Sequence, residues 1–207
     1  MAQLRGTDLK RLHRSWKRRS SARMGLLLDG VQSPFNVGAM VRTAAAFGVT
    51  DLYLVGRTAS ARDPKAQKMA MGTDRYLTVQ PVADAAAAVE RAHGEDYFVV
   101  GIELTDDALP LHELDLSRDV CLAVGAEDHG LSAAALKSCD ALAYIPQIGR
   151  VGSLNVAAAA AIACYEARRQ DWAGSSVPGE SDGGPTPDSG RPLSHREHPP
   201  ERQHRPV

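Results

Sequence analysis

The stretch MGLLLDGVQSPFNVGAMVRTAAAFGVTDLYLVG, residues 24–56, decides the fold class because its pattern changes twice. It opens with the apolar run Met24–Asp29 and closes with Leu52–Val55, and both runs are typical of strands buried on two faces. Between them, apolar residues recur at the spacing of one helix face, which predicts a helix over Val37–Phe47. A strand, a helix and a second strand in this order indicate a parallel βαβ unit.

The same alternation continues to about residue 172. Further strands are predicted at Tyr97–Ile102, Val120–Val124 and Ala141–Ile145, with a weaker signal over Tyr76–Val79. Further helices are predicted at Lys65–Met71, Ala83–Ala92, Ala133–Ser138 and Val156–Gln170. We therefore expect an α/β fold with a mostly parallel sheet, helices on both faces, and a ligand site at the carboxyl ends of the strands.

The composition argues against a membrane protein, a secreted protein and a disulfide-rich protein. The chain has 207 residues, of which 43% are hydrophobic and 24% charged, and this fits one domain with short extensions. No apolar stretch is long enough to cross a bilayer, and the N-terminus does not resemble a secretion signal. The odd set of Cys121, Cys139 and Cys164 excludes a disulfide framework and argues against a zinc site. We expect a cytoplasmic protein with buried thiols and no metal.

The net charge of −1 hides an uneven distribution. Residues 1–24 hold eight Lys or Arg and one acid, a net +7, so residues 25–207 sum to −8. Leu9, Leu12 and Trp16 recur at helical spacing, which predicts a basic helical arm over residues 1–23. Such an arm on an acidic body is typical of a chain that binds phosphate, although a solvated charged helix is the alternative.

The C-terminal residues 173–207 differ in composition from residues 24–172, which form the expected domain. From Gly174 onward the chain holds seven of its twelve prolines and no Ile, Phe, Tyr or Trp. Such a segment cannot bury enough apolar surface to fold, so we expect a disordered tail. Its histidines, His195, His198 and His204, are interpreted as solvated rather than metal-binding.

Three motifs lie where the predicted strands end. The first, residues 29–44, is DGVQSPFNVGAMVRTA. In it Asn36 is expected to be the N-cap of the helix, and Arg42 lies off the core face beside Gly38, Ala39 and Ala46. A planar guanidinium among such small side chains suits a phosphate, and an ion-paired surface arginine is the equal alternative.

The second motif, residues 122–132, is LAVGAEDHGLS, in which Gly125 and Gly130 bracket a polar turn and Ser132 can cap the next helix. Adjacent Glu127 and Asp128 suggest acid–base chemistry, or only a solvated turn. The third motif, residues 145–163, is IPQIGRVGSLNVAAAAAIA. Its alanine run predicts a helix against which other backbone packs closely, or a core helix of high propensity. Neither a dinucleotide-binding nor a P-loop glycine motif is present in the sequence.

Together these motifs resemble the SpoU/TrmH branch of the SPOUT RNA methyltransferases, over about residues 24–170. The resemblance implies a deep C-terminal trefoil knot, a homodimer, and methyl transfer from S-adenosyl-L-methionine to a ribose 2′-oxygen of RNA. The chain looks most like the tRNA guanosine-2′-O-methyltransferases that act on the D-loop. The alternatives are a 23S rRNA 2′-O-methyltransferase, a non-catalytic RNA-binding module on the same fold, and an enzyme that acts on a small metabolite.

The resemblance also implies roles for individual residues. The cofactor is expected at Ile102, Gly125, Ile145, Gly149 and Leu154. Arg42 is expected nearest the target ribose, surrounded by Asn36, Glu127, Ser153 and Asn155. Because a guanidinium rarely gives up its proton, we interpret Arg42 as a phosphate clamp and alkoxide stabiliser rather than a base. RNA phosphates are expected to meet Arg11, Arg14, Arg18 and Arg19 in the arm, without membrane or metal.

Overall fold

A seven-stranded sheet forms the centre of the computed structural model, which describes residues 3–174. Its strands are β1 (Met24–Asp29), β2 (Asp51–Val55), β3 (Thr78–Val82), β4 (Phe98–Ile102), β5 (Leu109–Pro110), β6 (Val120–Val124) and β7 (Ala141–Tyr144). The strand order is β3-β2-β1-β6-β4-β7-β5, and every neighbouring pair is parallel. The predicted α/β fold is confirmed.

Helices cover both faces of this sheet. They are α1 (Gly6–Arg19), α2 (Pro34–Ala46), α3 (Pro64–Ala70), α4 (Ala85–Gly94), α5 (Ala133–Ser138) and α6 (Val156–Gly174), with 3₁₀ turns at Thr73–Tyr76 and Leu111–Glu113. Leu26 and Leu28 pack with α2, α3 and α6, whereas Leu27 and Tyr53 pack with α4 and α5. This alternation follows from the two-residue period of a strand. Within residues 3–174, no helix has the length and apolar content needed to cross a membrane.

Most element boundaries differ from the sequence prediction by one to four residues, and two of these differences have a clear local cause. The prediction that Asn36 caps α2 is wrong, because the helix begins at Pro34 and Ser33 is its N-cap. The Ser33 hydroxyl accepts a hydrogen bond from the Asn36 N–H at 3.4 Å, and proline is well suited to the first turn. The weak strand predicted over Tyr76–Val79 is found two to three residues later, as β3 (Thr78–Val82), which includes Pro81. Proline is tolerated there since β3 lies at the edge of the sheet.

The N-terminal segment is attached to α6 by aromatic contacts and by hydrogen bonds, including those from Ser21 and Ala22 to the Asp171 carboxylate. The rings of Trp16 and Trp172 lie 4.9 Å apart, and the Trp172 indole donates to the Ser20 hydroxyl at 2.8 Å. Next to them, the buried Arg168 guanidinium lies 3.1 Å from the buried Asp171 carboxylate. Residues 175–207, with most of the predicted disordered tail and its three histidines, lie outside the described residues. The division of the chain into arm, domain and tail stays a prediction.

The three thiols are shielded inside the fold. Cys121 and Cys164 are buried and Cys139 is partly buried. Burial raises the pKa of Cys139 and Cys164 to about 12, and raises the pKa of Cys121 well above its ordinary value. At neutral pH a thiol with such a pKa is thiolate in only about one part in 100,000, and the thiolate is the reactive form.

We therefore expect iodoacetamide to leave the native chain unmodified and to alkylate all three cysteines after denaturation. Intact-mass spectrometry before and after addition of guanidinium measures both results. Rapid alkylation of the native protein at any of the three positions would contradict this shielding.

Candidate active site

A cavity of about 460 Å³ opens at the carboxyl ends of β4, β6 and β7. This volume lies in the range of small-molecule sites. Four of the five residues expected to meet a cofactor line it, namely Ile102, Gly125, Ile145 and Leu154. The fifth, Gly149, belongs to the loop between β7 and α6 but is not among the lining residues.

The walls of the cavity combine apolar surface with negative charge. Leu104, Val124 and Val156 add to the apolar residues named above. The lining also includes three carboxylates, Glu103, Glu127 and Asp128, and no lysine or arginine among the described residues. Hydrogen bonds from its own amide and from the His129 ring lower the pKa of Asp128. The cavity therefore suits a ligand that has an apolar or aromatic part and a positive charge.

Two glycines make the loop after β6 unusually tight. A Cβ atom on Gly125 would overlap the backbone of Gly130 and Leu131. Gly130 has a φ of +70°, and a Cβ there would overlap the Glu103 carboxylate. The backbones of Ala126 and Gly130 exchange hydrogen bonds of 3.0 and 2.9 Å across the loop. The three residues between them are consequently held out as exposed side chains beside the cavity.

Two carboxylates that the sequence analysis did not single out fix this loop. Glu103, directly after β4, accepts a hydrogen bond from the Leu131 N–H at 2.9 Å. Asp29, at the end of β1, is 7% exposed and accepts from the Ser132 N–H at 2.8 Å. Because β6 lies between β1 and β4, the two carboxylates accept hydrogen bonds from the consecutive Leu131 and Ser132 amides on opposite sides of the loop after β6. An acid at the last position of a buried strand, or directly after it, at the ligand edge was the signal that could have found them.

A chain of side-chain hydrogen bonds joins the three motifs. The Asn36 side-chain N–H donates to the Glu127 carboxylate at 2.7 Å, and the Asn155 side-chain N–H donates to the Asn36 oxygen at 3.2 Å. The Asn155 oxygen accepts from the Ala157 and Ala158 amides at the start of α6. Since a carboxylate can only accept and a backbone amide can only donate, both asparagine orientations are fixed. Ser153 lines the cavity next to this chain of bonds.

Arg42 stands apart from these bonds. Its exposed guanidinium donates to the Met71 sulfur at 2.8 Å and forms no ion pair with a residue of the described part of the chain. It is six positions beyond Asn36 on α2, roughly 9 Å along the helix axis. The small residues around it have a local reason, because a Cβ on Gly38 would overlap the Ala66 carbonyl of α3. The small side chain at Gly38 thus makes room for α3 of the same chain.

The basic arm presents most of its charge to solvent. Arg11, Arg14 and Arg18 are exposed on α1, which has no buried residue. Arg19 is partly buried, and its guanidinium lies 4.7 Å from the centre of the Trp16 ring. The first three can therefore meet a phosphate directly, whereas Arg19 also packs against the aromatic contact that attaches the arm.

Residues 23–165 match the model of the SpoU rRNA Methylase family. The chain belongs to this family. The match contains all three motifs and both carboxylates that hold the loop after β6. The resemblance stated from the sequence is confirmed.

Individual SpoU-family relatives are similar over most of the described chain. The 23S rRNA (guanosine-2′-O-)-methyltransferase RlmB of Acinetobacter baylyi is 39% identical over 148 residues, which are 70% of this chain and 59% of that protein. The structure of the SpoU methyltransferase AviRb from Streptomyces viridochromogenes with AdoMet is 30% identical, with a TM-score of 0.67, covering 74% of this chain and 60% of that one.

A third SpoU-family comparison covers nearly a whole relative. The TrmH/SpoU tRNA modifying enzyme of A. aeolicus is 25% identical, with a TM-score of 0.66, over 80% of this chain and 87% of that one. By contrast, the chain spans less than two thirds of the length of the curated relatives it matches.

Proposed function

We propose that this SpoU-family chain transfers a methyl group from S-adenosyl-L-methionine to a ribose 2′-oxygen of RNA. The observation that carries the proposal is the hydrogen-bonded chain Asn155–Asn36–Glu127 beside an acidic, apolar-walled cavity. It joins all three family motifs at the carboxyl edge of the sheet, where ligands of parallel α/β folds bind. A non-catalytic RNA-binding module would not need this arrangement.

The cavity fits the proposed cofactor chemically. Ile102, Ile145 and Leu154 offer apolar surface to an adenine ring, and the tight loop at Gly125 leaves backbone groups to bind its edge. The carboxylates of Glu103, Glu127 and Asp128 suit the sulfonium and ammonium charges. The bound cofactor supplies an electrophilic methyl group with a good leaving group, so the protein's task is to align and activate the ribose hydroxyl.

Arg42 is the proposed contact to the substrate backbone. A methionine sulfur is a weak acceptor, so the guanidinium can exchange it for a phosphate without breaking an ion pair. Held there, its positive charge stabilises the alkoxide that forms as the 2′-hydroxyl loses its proton. The proton leaves to phosphate or solvent, because a guanidinium rarely gives up its own proton and so does not act as a base. Asn36, Ser153 and Asn155 hold the loops that position the ribose.

The identity of the RNA is a separate question. The curated relatives at 34–39% identity include several named 23S rRNA (guanosine-2′-O-)-methyltransferases, which favours ribosomal RNA. The sequence-based preference for tRNA stays a prediction, supported by the tRNA modifying enzyme of A. aeolicus. Incubating the chain with labelled cofactor and, in parallel, unmodified 23S rRNA and total tRNA decides between them. Label in only one pool identifies the substrate class, and no label in either contradicts the proposed activity.

The basic arm is proposed to bind RNA phosphates without reading sequence. Replacing Arg11, Arg14, Arg18 and Arg19 with alanine is expected to weaken RNA binding and to flatten the dependence of log K on log salt. Each lost phosphate contact removes about 0.7 to 0.9 from that slope. Fluorescence anisotropy at several salt concentrations measures the slope, and cofactor binding serves as the control. A slope equal to that of the unmodified chain would contradict this role.

The assembly and topology of the family are proposed for this chain as well. We expect a homodimer, which is supported by Ile162 and Tyr165, 41% and 52% exposed on α6. We also expect the trefoil knot, supported by the tight loop at Gly125 and by the contact of Asn155 with Asn36, 119 positions earlier in the chain. Action on cellular RNA makes the cytoplasm its expected location. Light scattering of the full chain measures the dimer.

A further inference from the structure

A second basic segment lies outside the arm. Residues 57–76 hold five cations and two acids, although residues 25–207 as a whole carry a net −8. All five cations, Arg57, Arg62, Lys65, Lys68 and Arg75, are exposed. A local excess of exposed positive charge on an acidic body is the electrostatic footprint of a phosphate-binding surface.

This segment is fixed against the helix that carries Asn36 and Arg42. Helix α3 approaches α2 so closely that a Cβ on Gly38 would overlap the Ala66 carbonyl. Further along, Met71 meets the Arg42 guanidinium. The contacts of Phe35 with Lys65, Gly38 with Ala66 and Arg42 with Met71 follow each other along both segments, so the basic segment and Arg42 share one surface.

An aromatic ring lies exposed at the start of that surface. Phe35 is 52% exposed and directly precedes Asn36 in the first turn of α2. It is seven positions before Arg42, which places both side chains on the same side of the helix. The Lys65 ammonium lies 5.9 Å from the centre of the Phe35 ring. Burial in the chain's own core does not explain this ring, because the core of this face is formed by Val37, Met40 and Val41.

We propose that Phe35 is a stacking platform for an unpaired base of the RNA substrate, with Lys65 on the adjoining phosphate. An exposed ring next to a cation is the arrangement by which proteins hold single-stranded nucleic acid, since every base has a face to stack. Phe35 lies between Asn36 and Arg42 on one side and the basic segment on the other. The stacked base is therefore that of the target nucleotide or of its neighbour. The inference rests on the proposed function only for the identity of the ligand as RNA.

The same arrangement recurs further along the basic segment. Tyr76 is 63% exposed, and the Arg75 guanidinium lies 4.8 Å from the centre of its ring and donates to its hydroxyl at 2.9 Å. The 3₁₀ turn that contains both residues packs against α2. A strand of RNA that stacks on Phe35 and passes Arg42 would meet a second ring paired with a cation.

The test uses the full chain and two RNA probes, a labelled oligoadenylate of about twelve nucleotides and a duplex of similar length. Phe35→Ala and Phe35→Leu are expected to lower affinity for the single strand about tenfold and to leave duplex affinity unchanged, whereas Phe35→Trp retains single-strand affinity. Leu109→Ala, which removes a 49% exposed apolar side chain at the far edge of the sheet, is the matched control and is expected to change neither affinity.

Three outcomes overturn the proposal. They are unchanged single-strand affinity in Phe35→Ala, an equal loss for both probes, and full affinity in Phe35→Leu, which keeps apolar bulk but has no ring. Binding of S-adenosyl-L-methionine by each variant verifies that it is folded. If the unmodified chain binds single strands through Phe35 but transfers no methyl group to any RNA, the proposed function fails and the stacking site stands.

Discussion

Arg42→Ala is expected to lower the turnover number for RNA methylation about 100- to 1,000-fold while leaving the affinity for S-adenosyl-L-methionine almost unchanged. The size follows from removing one charged donor that stabilises a developing oxyanion. The cofactor is unaffected because Arg42 is not among the described residues that line the cavity, and its guanidinium donates to Met71 instead. Single-turnover kinetics with saturating cofactor measure the first effect, and calorimetry measures the second.

Two further variants sharpen the interpretation of Arg42. Arg42→Lys keeps the charge but loses the planar fork, so an intermediate loss is expected if the contact is a bidentate phosphate clamp. Arg118→Ala is the matched control, because Arg118 is an exposed arginine whose partner, Asp115, lies outside the cavity. Turnover of Arg42→Ala within a few fold of the unmodified chain would show that the guanidinium has no part in the chemistry.

Arg168→Ala is expected to lower the free energy of unfolding by about 3–5 kcal/mol, since it removes a buried charge that pairs with Asp171 and donates to three backbone carbonyls. Arg168 is 5% exposed and donates to the carbonyls of Phe47, Ala22 and Gly48 as well as to Asp171. These bonds connect α6 to the end of α2 and to the segment before β1. Their loss therefore weakens the attachment of α6, in the third motif, to α2, in the first. Urea denaturation measures the change in the free energy of unfolding.

The neighbouring residue provides the control for Arg168. Arg169 also pairs with an acid three positions away, but its side chain is 50% exposed. Arg169→Ala is expected to cost less than about 1 kcal/mol, because exposed ion pairs gain little over hydration. If Arg168→Ala and Arg169→Ala destabilised the fold equally, burial of the Arg168 ion pair would not be the reason for its large contribution.

The sheet was predictable because a parallel strand covered on both faces is a continuous apolar run. Leu26, Leu27 and Leu28 are all fully buried, the even positions on one face and the odd one on the other. The order of the strands was not predictable, since β6 is inserted between β1 and β4 by contacts distant in sequence. The knot was expected only through the family resemblance.

Within the site as well, contacts between residues close in sequence were predictable, and contacts between distant residues were not. Ser132 caps α5 as expected, because a cap is a bond within three residues. At α2 the expected cap was wrong: Ser33 forms the cap, which leaves Asn36 free to bond Glu127, 91 positions later. The hydrogen bond from the Ser132 amide to Asp29 joins residues 103 positions apart, and the bond from Arg168 to the Ala22 carbonyl joins residues 146 positions apart. No periodicity in the sequence indicates either bond.

The most direct measurement is the chemical position of the methyl group on the RNA. After incubation of the full chain with labelled S-adenosyl-L-methionine and the RNA pool that accepts label, alkaline hydrolysis cleaves next to every free 2′-hydroxyl. We expect the label in alkali-resistant dinucleotides, which form only where the 2′-oxygen is methylated, and we expect its loss in Arg42→Ala. Label recovered in mononucleotides with a methylated base would contradict transfer to the ribose.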